Sequence, residues 1–431
     1  MGAERAAPAV VAVVVACHPG PWFDEVLKSW AAQDYAELSV VVALIGDDRE
    51  SAARVSALLP AAHLARLPEG TGFAMAANRV LEKVDGVAHF LLCHDDVALA
   101  SGAVRLLLEE AYRSNAGLTS PKFVIWDKPE LLLSVGLGSD RMGVTYPLVE
   151  RGELDQGQHD AVREVFVAPS GALLVRTDLW RALRGFDPVA RDPGEDLDLS
   201  WRAHLAGARV VVAPQAVARH LEATRQGLRP GRPGSEMCRE EHRFRELWTC
   251  YSPPGLVLVT PVAVFFAAVE TVWLLLHGAA RRDGGARRDA GLPLIALVRS
   301  FRRPRELWLA RRHTQSLRRA NDLAIWRSQS KGSARLRETV RRRLEKGHEL
   351  AWVASRATAK VAARPVAPAG ARSSSSAAPR RHDLPADVPR RHEVTADVPR
   401  RHAVPADTTS TATNGSSPHA DGPVPGPAAA A

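Results

Sequence analysis

The chain has 431 residues, 46% of them hydrophobic, which is enough for two to three domains or for one α/β domain with long appendages. Its net charge is +9, but residues 299–346 alone carry 16 Arg and Lys against four acids, so the basic character belongs to the C-terminal part. The four cysteines form no CxxC pair and lack zinc-ligand spacing, which favours a reducing, cytoplasmic compartment over a disulfide framework. The apolar run over residues 10–16 leads into a Cys-His-Pro-Gly loop and not into a cleavage site, so we expect no secretory signal.

The first part of the chain alternates short apolar, β-branched runs with segments of helical period. This pattern predicts four strands, each followed by a helix: strands over 10–16, 38–45, 63–67 and 89–93, and helices over 21–32, 50–59, 72–84 and 101–113. Such an alternation is typical of a mainly parallel sheet covered by helices on both faces. In sheets of this kind, ligands bind outside the carboxyl ends of the strands.

The next part of the chain is less regular. It predicts a hairpin over 131–148, strands over 166–168, 172–175 and 209–213, and helices over 177–185 and 196–206, with the last strand ending before Pro214. We therefore expect a single α/β domain to occupy residues 1–225.

Beyond this domain the composition changes. A Gly/Pro/Arg loop over 225–233 begins a predicted linker, residues 226–252, and a hydrophobic and Arg-rich helical region follows over 253–360. From residue 361 the chain is low-complexity Ala/Pro/Ser/Arg and repeats a ten-residue unit that begins Pro-Arg-Arg-His, so we predict a disordered tail over 361–431.

Two adjacent acids, Asp95 and Asp96, follow the predicted fourth strand. They could cap the helix that begins near Ser101, or they could bind Mg²⁺ or Mn²⁺, hard cations that take oxygen ligands and often bridge substrate phosphates. Their position at the carboxyl end of a strand is where a ligand site is expected. The pair is therefore a candidate metal site.

A second acidic pair, Glu195 and Asp196, stands at the start of a predicted helix. The helix dipole would stabilise them there as capping residues, but a positioned carboxylate also suits a general base. Gly70 and Gly72 precede a helix rich in small residues, which lets backbone approach a phosphate or a sugar, although no P-loop or GxGxxG motif is present. His220, just beyond the last predicted strand, is a structural histidine or a ligand.

Residues 9–222 resemble a family 2 glycosyltransferase with the GT-A fold, of the actinobacterial, membrane-associated type. Five blocks carry the resemblance in the family's order: VVVACHPGPWFDEVLKSWAAQDYAELSVVV, EGTGFAMAANRVLE, CHDDVAL in the place of the DxD motif, SGALLVRTDLWRALRGFDP, and GEDLDLSWRAHLAGARVVVAPQAVARH. The resemblance implies an enzyme that moves a sugar from a nucleotide-diphospho-sugar to an acceptor. It implies Mg²⁺ or Mn²⁺ as the cofactor.

The resemblance also assigns roles to residues on the donor side. Asp96, with Asp95 beside it, would contact the divalent metal and the nucleoside diphosphate. His220 would be a further metal or diphosphate contact, and Gly72 and Asn78 would lie by the nucleotide.

On the acceptor side, the resemblance makes Asp196 the general base, with Glu195 as its neighbour or substitute. It places Arg202 behind the pair and counts it, with Gly72 and Asn78, among the residues that bind the nucleotide sugar. Attack from the face opposite the leaving diphosphate would invert the anomeric centre. The implied acceptor is a cell-envelope glycan or a polyprenyl-linked molecule.

Two positions depart from the family's pattern. The metal motif begins with His94 where the family has an aspartate, and Ala43 stands where an aspartate usually binds the base or ribose, with Asp47 or Asp48 as substitutes. These departures leave an alternative: a degenerate transferase domain that serves as a membrane-tethered scaffold.

The apolar stretch over 255–277 is long enough to cross a bilayer, but Glu270 would be costly in hydrocarbon, and a crossing would carry the Arg-rich segment outside. We therefore predict peripheral attachment to anionic lipid at the cytoplasmic face of the membrane, with a span as the alternative. The basic stretch lacks interleaved aromatic residues for base stacking, so no nucleic-acid partner is expected.

Overall fold

A computed structural model describes residues 7–189, 193–229, 235–280 and 292–334. The chain divides into two units, residues 1–362 and 363–431, and all described residues belong to the first. The predicted disordered tail over 361–431, with its repeats, lies outside the described residues.

The described residues form twelve strands and eleven helices. The strands are β1 Val10–Ala16, β2 Leu38–Ile45, β3 His63–Leu67, β4 His89–His94, β5 Val97–Leu99, β6 Ala116–Ile125, β7 Lys128–Ser134, β8 Leu137–Ser139, β9 Thr145–Pro147, β10 Arg163–Glu164, β11 Ala172–Arg176 and β12 Arg209–His220. The helices are α1 Phe23–Ala31, α2 Arg49–Leu58, α3 Phe73–Leu81, α4 Ala103–Arg113, α5 Thr177–Leu183, α6 Glu195–Leu205, α7 Ser235–Cys250, α8 Pro253–Ala280, α9 Leu292–Arg299, α10 Pro304–Leu317 and α11 Asp322–Ser328.

One large, mostly parallel sheet organises the fold, in the order β10-β12-β6-β11-β4-β1-β2-β3. Strands β1 to β4 are parallel, as the alternating pattern predicts, and β12 runs parallel to β6. Strand β11 lies antiparallel between β4 and β6, so the sheet is mixed. The predicted α/β class with a mainly parallel central sheet is confirmed.

Helices cover both faces of the sheet because its strands are apolar on both sides. Val10, Ala12 and Val14 of β1 point into one core, while Val11 and Val13 point into the other. Successive side chains of a strand alternate between faces, and a strand buried on both faces therefore consists of continuous apolar residues. This double burial fixes the carboxyl ends of β1 and β4 side by side.

The last part of the sheet differs from the prediction. Strand β12 does not end before Pro214 but continues to His220, with a bulge in which Ala213 and Val217 pair with the consecutive residues Pro121 and Lys122 of β6. Proline is tolerated at such a bulge, so it does not mark the end of the strand here.

Three shorter segments also differ. The strand predicted over 166–168 is irregular, with β10 just before it, and the first half of the hairpin predicted over 131–148 is β7, which pairs with β6, while the hairpin itself is β8–β9. Strand β6 was not predicted, because its Ser, Pro and Lys residues break the apolar pattern.

Within the predicted linker over 226–252, residues 235–250 form α7. It packs against α6 in a separate core in which the rings of Trp201 and Tyr251 meet edge to face, with centroids 5.2 Å apart. Helices α9 and α10 also contact α7. The segment after the sheet is therefore built onto the side of the domain that carries Glu195 and Asp196.

Helix α8 covers the predicted apolar stretch. Among the helices of the described residues, none is both long enough and apolar enough to cross a bilayer. The span considered over 255–277 is therefore not found in that part of the chain.

Candidate functional site

Two strands bring the predicted metal residues together. Strand β4 ends at His94, and Asp95 and Asp96 form the turn into β5. Strand β5 pairs antiparallel with the end of β12, which sets His220 opposite Val97. The backbone N–H of Leu221 also donates to the carbonyl of Asp96, at 3.0 Å. Residues that are more than 120 positions apart in the chain thus meet at one edge of the sheet.

His94, Asp96 and His220 form a cluster that could hold a metal ion. One ligand atom from each lies within 4.8 Å of the others. The Oδ1 atom of Asp96 is 3.4 Å from Nε2 of His220 and 3.9 Å from Nδ1 of His94. Asp96 is buried, and its Oδ1 has no hydrogen-bond partner among the described residues. A buried carboxylate oxygen without a donor, facing two imidazoles, is the arrangement that a cation would complete.

The electrostatics of the cluster favour cation binding. Burial lowers the pKa of His94 to about 4, so its imidazole is neutral at physiological pH and available as a ligand. Burial alone would raise the pKa of Asp96, but the contact with His220 and the charges of His220, His94 and Arg229 outweigh it, and the pKa falls well below the usual range. Two imidazoles and one carboxylate suit Mn²⁺ better than Mg²⁺, which prefers oxygen ligands alone.

Asp95 points away from this cluster. Its Oδ2 accepts a hydrogen bond from the backbone N–H of Cys17, at 3.0 Å, and its Oδ1 accepts one from the guanidinium of Arg229. Arg229 also reaches the Oδ2 atom of Asp96, at 3.3 Å, where the backbone N–H of Ala223 donates at 2.9 Å. Burial raises the pKa of Asp95 to about 6 against the opposing charge of Arg229. The metal contact predicted for Asp95 stays a prediction.

Arg229 is the residue of this site that the sequence analysis missed. Its side chain is only 18% exposed and it bridges both aspartates. The only sequence signal is its place in the Gly/Pro/Arg loop after β12, which does not predict where the side chain of Arg229 points. The guanidinium of Arg229 therefore neutralises part of the negative charge of Asp95 and Asp96, for which the sequence analysis identified no partner in the chain.

The second acidic pair starts helix α6. Gly194 precedes it with φ +131°, a conformation that favours glycine, and a Cβ there would lie 2.6 Å from Nδ1 of His242. Buried Glu195 accepts hydrogen bonds from Oγ of Ser170, at 2.8 Å, and from the N–H of Gly194, at 2.9 Å. Half-buried Asp196 accepts from the N–H of Leu197, at 2.8 Å, and burial raises its pKa. Glu195 is thus held in place while Asp196 has weaker restraints.

Two consecutive residues join the acidic pairs. Ser170 donates to Glu195, and the carbonyl of Gly171 accepts a hydrogen bond from the N–H of His94, at 3.0 Å. A Cβ on Gly171 would be 3.5 Å from Cε1 of His220. The loop before β11 therefore links the metal cluster to the start of α6, which places the predicted cation and the predicted base in one site.

The remaining predicted residues have structural partners. Gly72 precedes α3, and the ring of the next residue, Phe73, meets the ring of His94 edge-on, with centroids 4.4 Å apart. Asn78 donates to the carbonyl of Phe186 and accepts from its N–H, at 2.9 and 3.0 Å. Buried Arg202 donates to Asp198 and to the carbonyls of Leu183, the last residue of α5, and of Gly185 just after it. The nucleotide contacts predicted for Gly72, Asn78 and Arg202 stay predictions.

The departures from the family's pattern have clear locations. Ala43 is fully buried in β2. Asp48 caps α2 by accepting from the N–H of Ser51, at 2.9 Å, whereas Asp47 is exposed and pairs with Arg49 and Arg66. Of the two substitutes considered for Ala43, Asp47 is the one whose carboxylate faces solvent.

A family model described as glycosyltransferase like family 2 matches residues 8–229, just over half of the chain. The chain belongs to this family. Its mixed sheet, in which β11 runs antiparallel between β4 and β6, is the GT-A architecture that the sequence predicts. No curated protein gives a match.

Two solved structures are similar at low identity. One is the crystal structure of GalNAc-T7 with UDP, GalNAc and Mn²⁺, at 11% identity and a TM-score of 0.44, where the match covers 57% of this chain and 49% of that one. The other is the mannosyltransferase PcManGT from Pyrobaculum calidifontis in complex with GDP-Man and Mn²⁺, at 16% identity and a TM-score of 0.41, covering 72% and 86%. The chain thus spans about half the length of GalNAc-T7, and similarity at this level says nothing about substrate.

Proposed function

We propose that this glycosyltransferase is an inverting enzyme that transfers a sugar from a nucleotide-diphospho-sugar to a cell-envelope glycan or a lipid-linked acceptor. One observation carries the proposal: the buried Oδ1 of Asp96 has no hydrogen-bond partner among the described residues and faces the imidazoles of His94 and His220. A divalent cation held there, Mn²⁺ before Mg²⁺, would stabilise the charge that develops on the leaving diphosphate.

The chain's own residues would carry the proton transfer. Asp196 would accept the proton of the acceptor hydroxyl, and its raised pKa brings it closer to the pH at which a base works best. Glu195, fixed by Ser170 and by the backbone of Gly194, would keep the start of α6 in position. Attack from the side of α6 on a donor held at β4 and β12 would be in line, so the anomeric centre inverts.

We place the enzyme at the cytoplasmic face of the membrane as a peripheral protein. Helix α8 exposes large apolar side chains to solvent, among them Val257, Leu258, Phe265 and Leu276. Exposed apolar surface of this kind, next to an arginine-rich segment, supports attachment to anionic lipid. Sedimentation with vesicles of anionic lipid tests this placement, and a protein that ignores such vesicles would contradict it.

A screen of nucleotide sugars tests the catalytic proposal. We expect one donor to raise the melting temperature in the presence of Mn²⁺ and to be hydrolysed slowly without an acceptor. Asp96→Ala and Asp196→Ala should each lower that hydrolysis or the transfer by about 100-fold or more, whereas Asp85→Ala, in an exposed surface carboxylate before β4, should serve as the control for the Asp96 and Asp196 variants. If neither variant lowers the rate, the site assignment is wrong.

The scaffold alternative has one observation in its favour, since Arg229 contacts both aspartates and could replace a cation permanently. It predicts that no nucleoside diphosphate binds with or without Mn²⁺. Calorimetry with UDP, GDP and dTDP separates the two functions.

A further inference from the structure

A cavity of about 890 Å³ lies beside the proposed catalytic site, between the start of α3, helix α7 and the segment after α9. Gly72 lines it, and the ring of the next residue, Phe73, contacts His94. His242 also lines it and packs against Gly194, the residue before Glu195. The lining of the cavity thus lies one contact away from His94, through Phe73, and next to the start of α6, through Gly194.

Positive charge dominates the wall of this cavity. Five arginines line it against two glutamates: Arg79, Arg245, Arg299, Arg302 and Arg303. Three of them face carboxylates, namely those of Asp187, Glu241 and Glu306. Arg79 and Arg302 have no side-chain hydrogen-bond or ion-pair partner among the described residues. Two guanidinium groups that line one cavity, one from α3 and one from the turn after α9, are suited to bind a phosphate, because each offers a fork of donors to its oxygens.

An apolar surface leads to these arginines. Helix α9 and the turn after it expose Leu294, Ile295, Val298 and Phe301, the last of which is the neighbour of Arg302. Val298 is 70% exposed, although the helix is otherwise packed on α7 and α8. A ligand that bound both features would carry an anionic group at one end and a hydrocarbon chain at the other.

We infer that this cavity binds the phosphate group of an amphiphilic acceptor, with its hydrocarbon chain along α9. The inference rests on the proposed function and narrows its acceptor from any glycan to a phosphate-bearing lipid. The proposed function gives the donor's diphosphate a partner of its own, the divalent cation that Asp96, His94 and His220 would hold, which leaves the cavity arginines for a second anion. His242, which lines the cavity and packs against Gly194, connects this site to the start of α6, where Asp196 stands.

Farnesyl phosphate is a probe of this site because it combines one phosphate with a short hydrocarbon chain. We expect the full chain, with Mn²⁺ and a nucleoside diphosphate present, to bind farnesyl phosphate, and farnesol or inorganic phosphate at least tenfold more weakly. The double variant Arg79→Gln/Arg302→Gln should lose at least tenfold in affinity for farnesyl phosphate. The matched control is Arg163→Gln/Arg305→Gln, which removes the same charge from exposed arginines outside the cavity.

Three results would overturn the inference. Equal losses of affinity for farnesyl phosphate in the two double variants would show a general charge effect. Farnesol binding as tightly as farnesyl phosphate would show that the phosphate is not recognised. Weaker binding of the nucleoside diphosphate in Arg79→Gln/Arg302→Gln would assign these arginines to the donor. Because nucleoside diphosphate and farnesyl phosphate are titrated separately, a failure of the donor site stays distinguishable from a failure of this one. Arg302→Gln alone, in an exposed side chain, replaces the double variant if that variant melts early.

Discussion

The site contains two pairs of adjacent acids, and their surroundings differ. Asp95 and Asp96 lie among Arg229, His94 and His220, so cationic or metal-binding groups hold them. The second pair, Glu195 and Asp196 at the start of α6, accepts hydrogen bonds from the hydroxyl of Ser170 and from backbone N–H groups. Neighbouring charges outweigh burial at Asp96 and lower its pKa, whereas at Asp196 burial outweighs the charge of Arg239 and raises the pKa. These different surroundings suit Asp96 to the predicted role of cation ligand and Asp196 to that of proton acceptor.

The largest expected effect distinguishes the predicted role of Asp96 as a metal ligand from that of Asp196 as a general base. Asp96→Asn and Asp196→Asn should each lower transfer by about a thousandfold, since each removes a carboxylate that the reaction needs. Only Asp96→Asn should abolish Mn²⁺ binding, measured by electron paramagnetic resonance. If Asp196→Asn also lost the metal, the division between the pairs would be wrong.

Arg229 offers a way to change the first pair alone. Arg229→Met removes a positive charge close to Asp96, so we expect Mn²⁺ to bind about tenfold more tightly. The same change leaves buried Asp95 without its cation and should cost about 3 kcal/mol in the free energy of unfolding.

The double variant Asp95→Asn/Arg229→Met is the control, because it removes both charges of that pair and should recover much of the stability. Urea unfolding and Mn²⁺ titration measure the two effects separately. Unchanged Mn²⁺ affinity in Arg229→Met would show that the arginine does not compete with the cation.

The pH dependence of transfer probes the second pair. Asp196 must be deprotonated to accept a proton, and burial raises its pKa. The rate should therefore fall, as the pH is lowered, at a higher pH than for an ordinary aspartate. A pH profile of kcat under saturating Mn²⁺ measures this, and an acid limb at the ordinary value for aspartate would contradict it.

The smallest expected effect concerns Ser170. Ser170→Ala removes the hydroxyl that donates to buried Glu195, which should cost about 2 kcal/mol in unfolding free energy and lower transfer several-fold. Mn²⁺ affinity should not change, because Ser170 contacts the second pair. Ser170→Thr, which retains a hydroxyl, is the matched control, and an equal loss there would point to packing instead of the hydrogen bond.

Most of the sheet formed by β1 to β4 could be predicted because β1 and β4 are buried on both faces. The continuous apolar run at β1 and the helical spacing of Trp22, Val26 and Trp30 leave few alternatives. Strand β6 was not predictable, since Pro121 and Lys122 interrupt it and its partners β11 and β12 are distant in the chain. Local patterns report burial, but they do not report which distant strands pair.

The same limit applies to the site. Asp96 and His220 could be singled out from the sequence because each is a possible metal ligand next to a strand end. The structure brings them together with His94. Arg229 could not, because the direction of a side chain in a Gly/Pro-rich loop depends on what it meets after folding. Asn78 and Arg202 show the converse. Both occupy positions of the family's motifs, but in the described residues their side chains form hydrogen bonds with other residues of the protein.

The bulge in β12 sets which residue occupies the position of His220, a predicted metal ligand. Side chains alternate along a strand, so one residue added between Ala213 and Val217 would move every later side chain one place along β6. Arg219 would then occupy the place of His220 and would present a permanent positive charge to Asp96. One residue inserted in the bulge would thus exchange a predicted metal ligand for a cation that belongs to the chain.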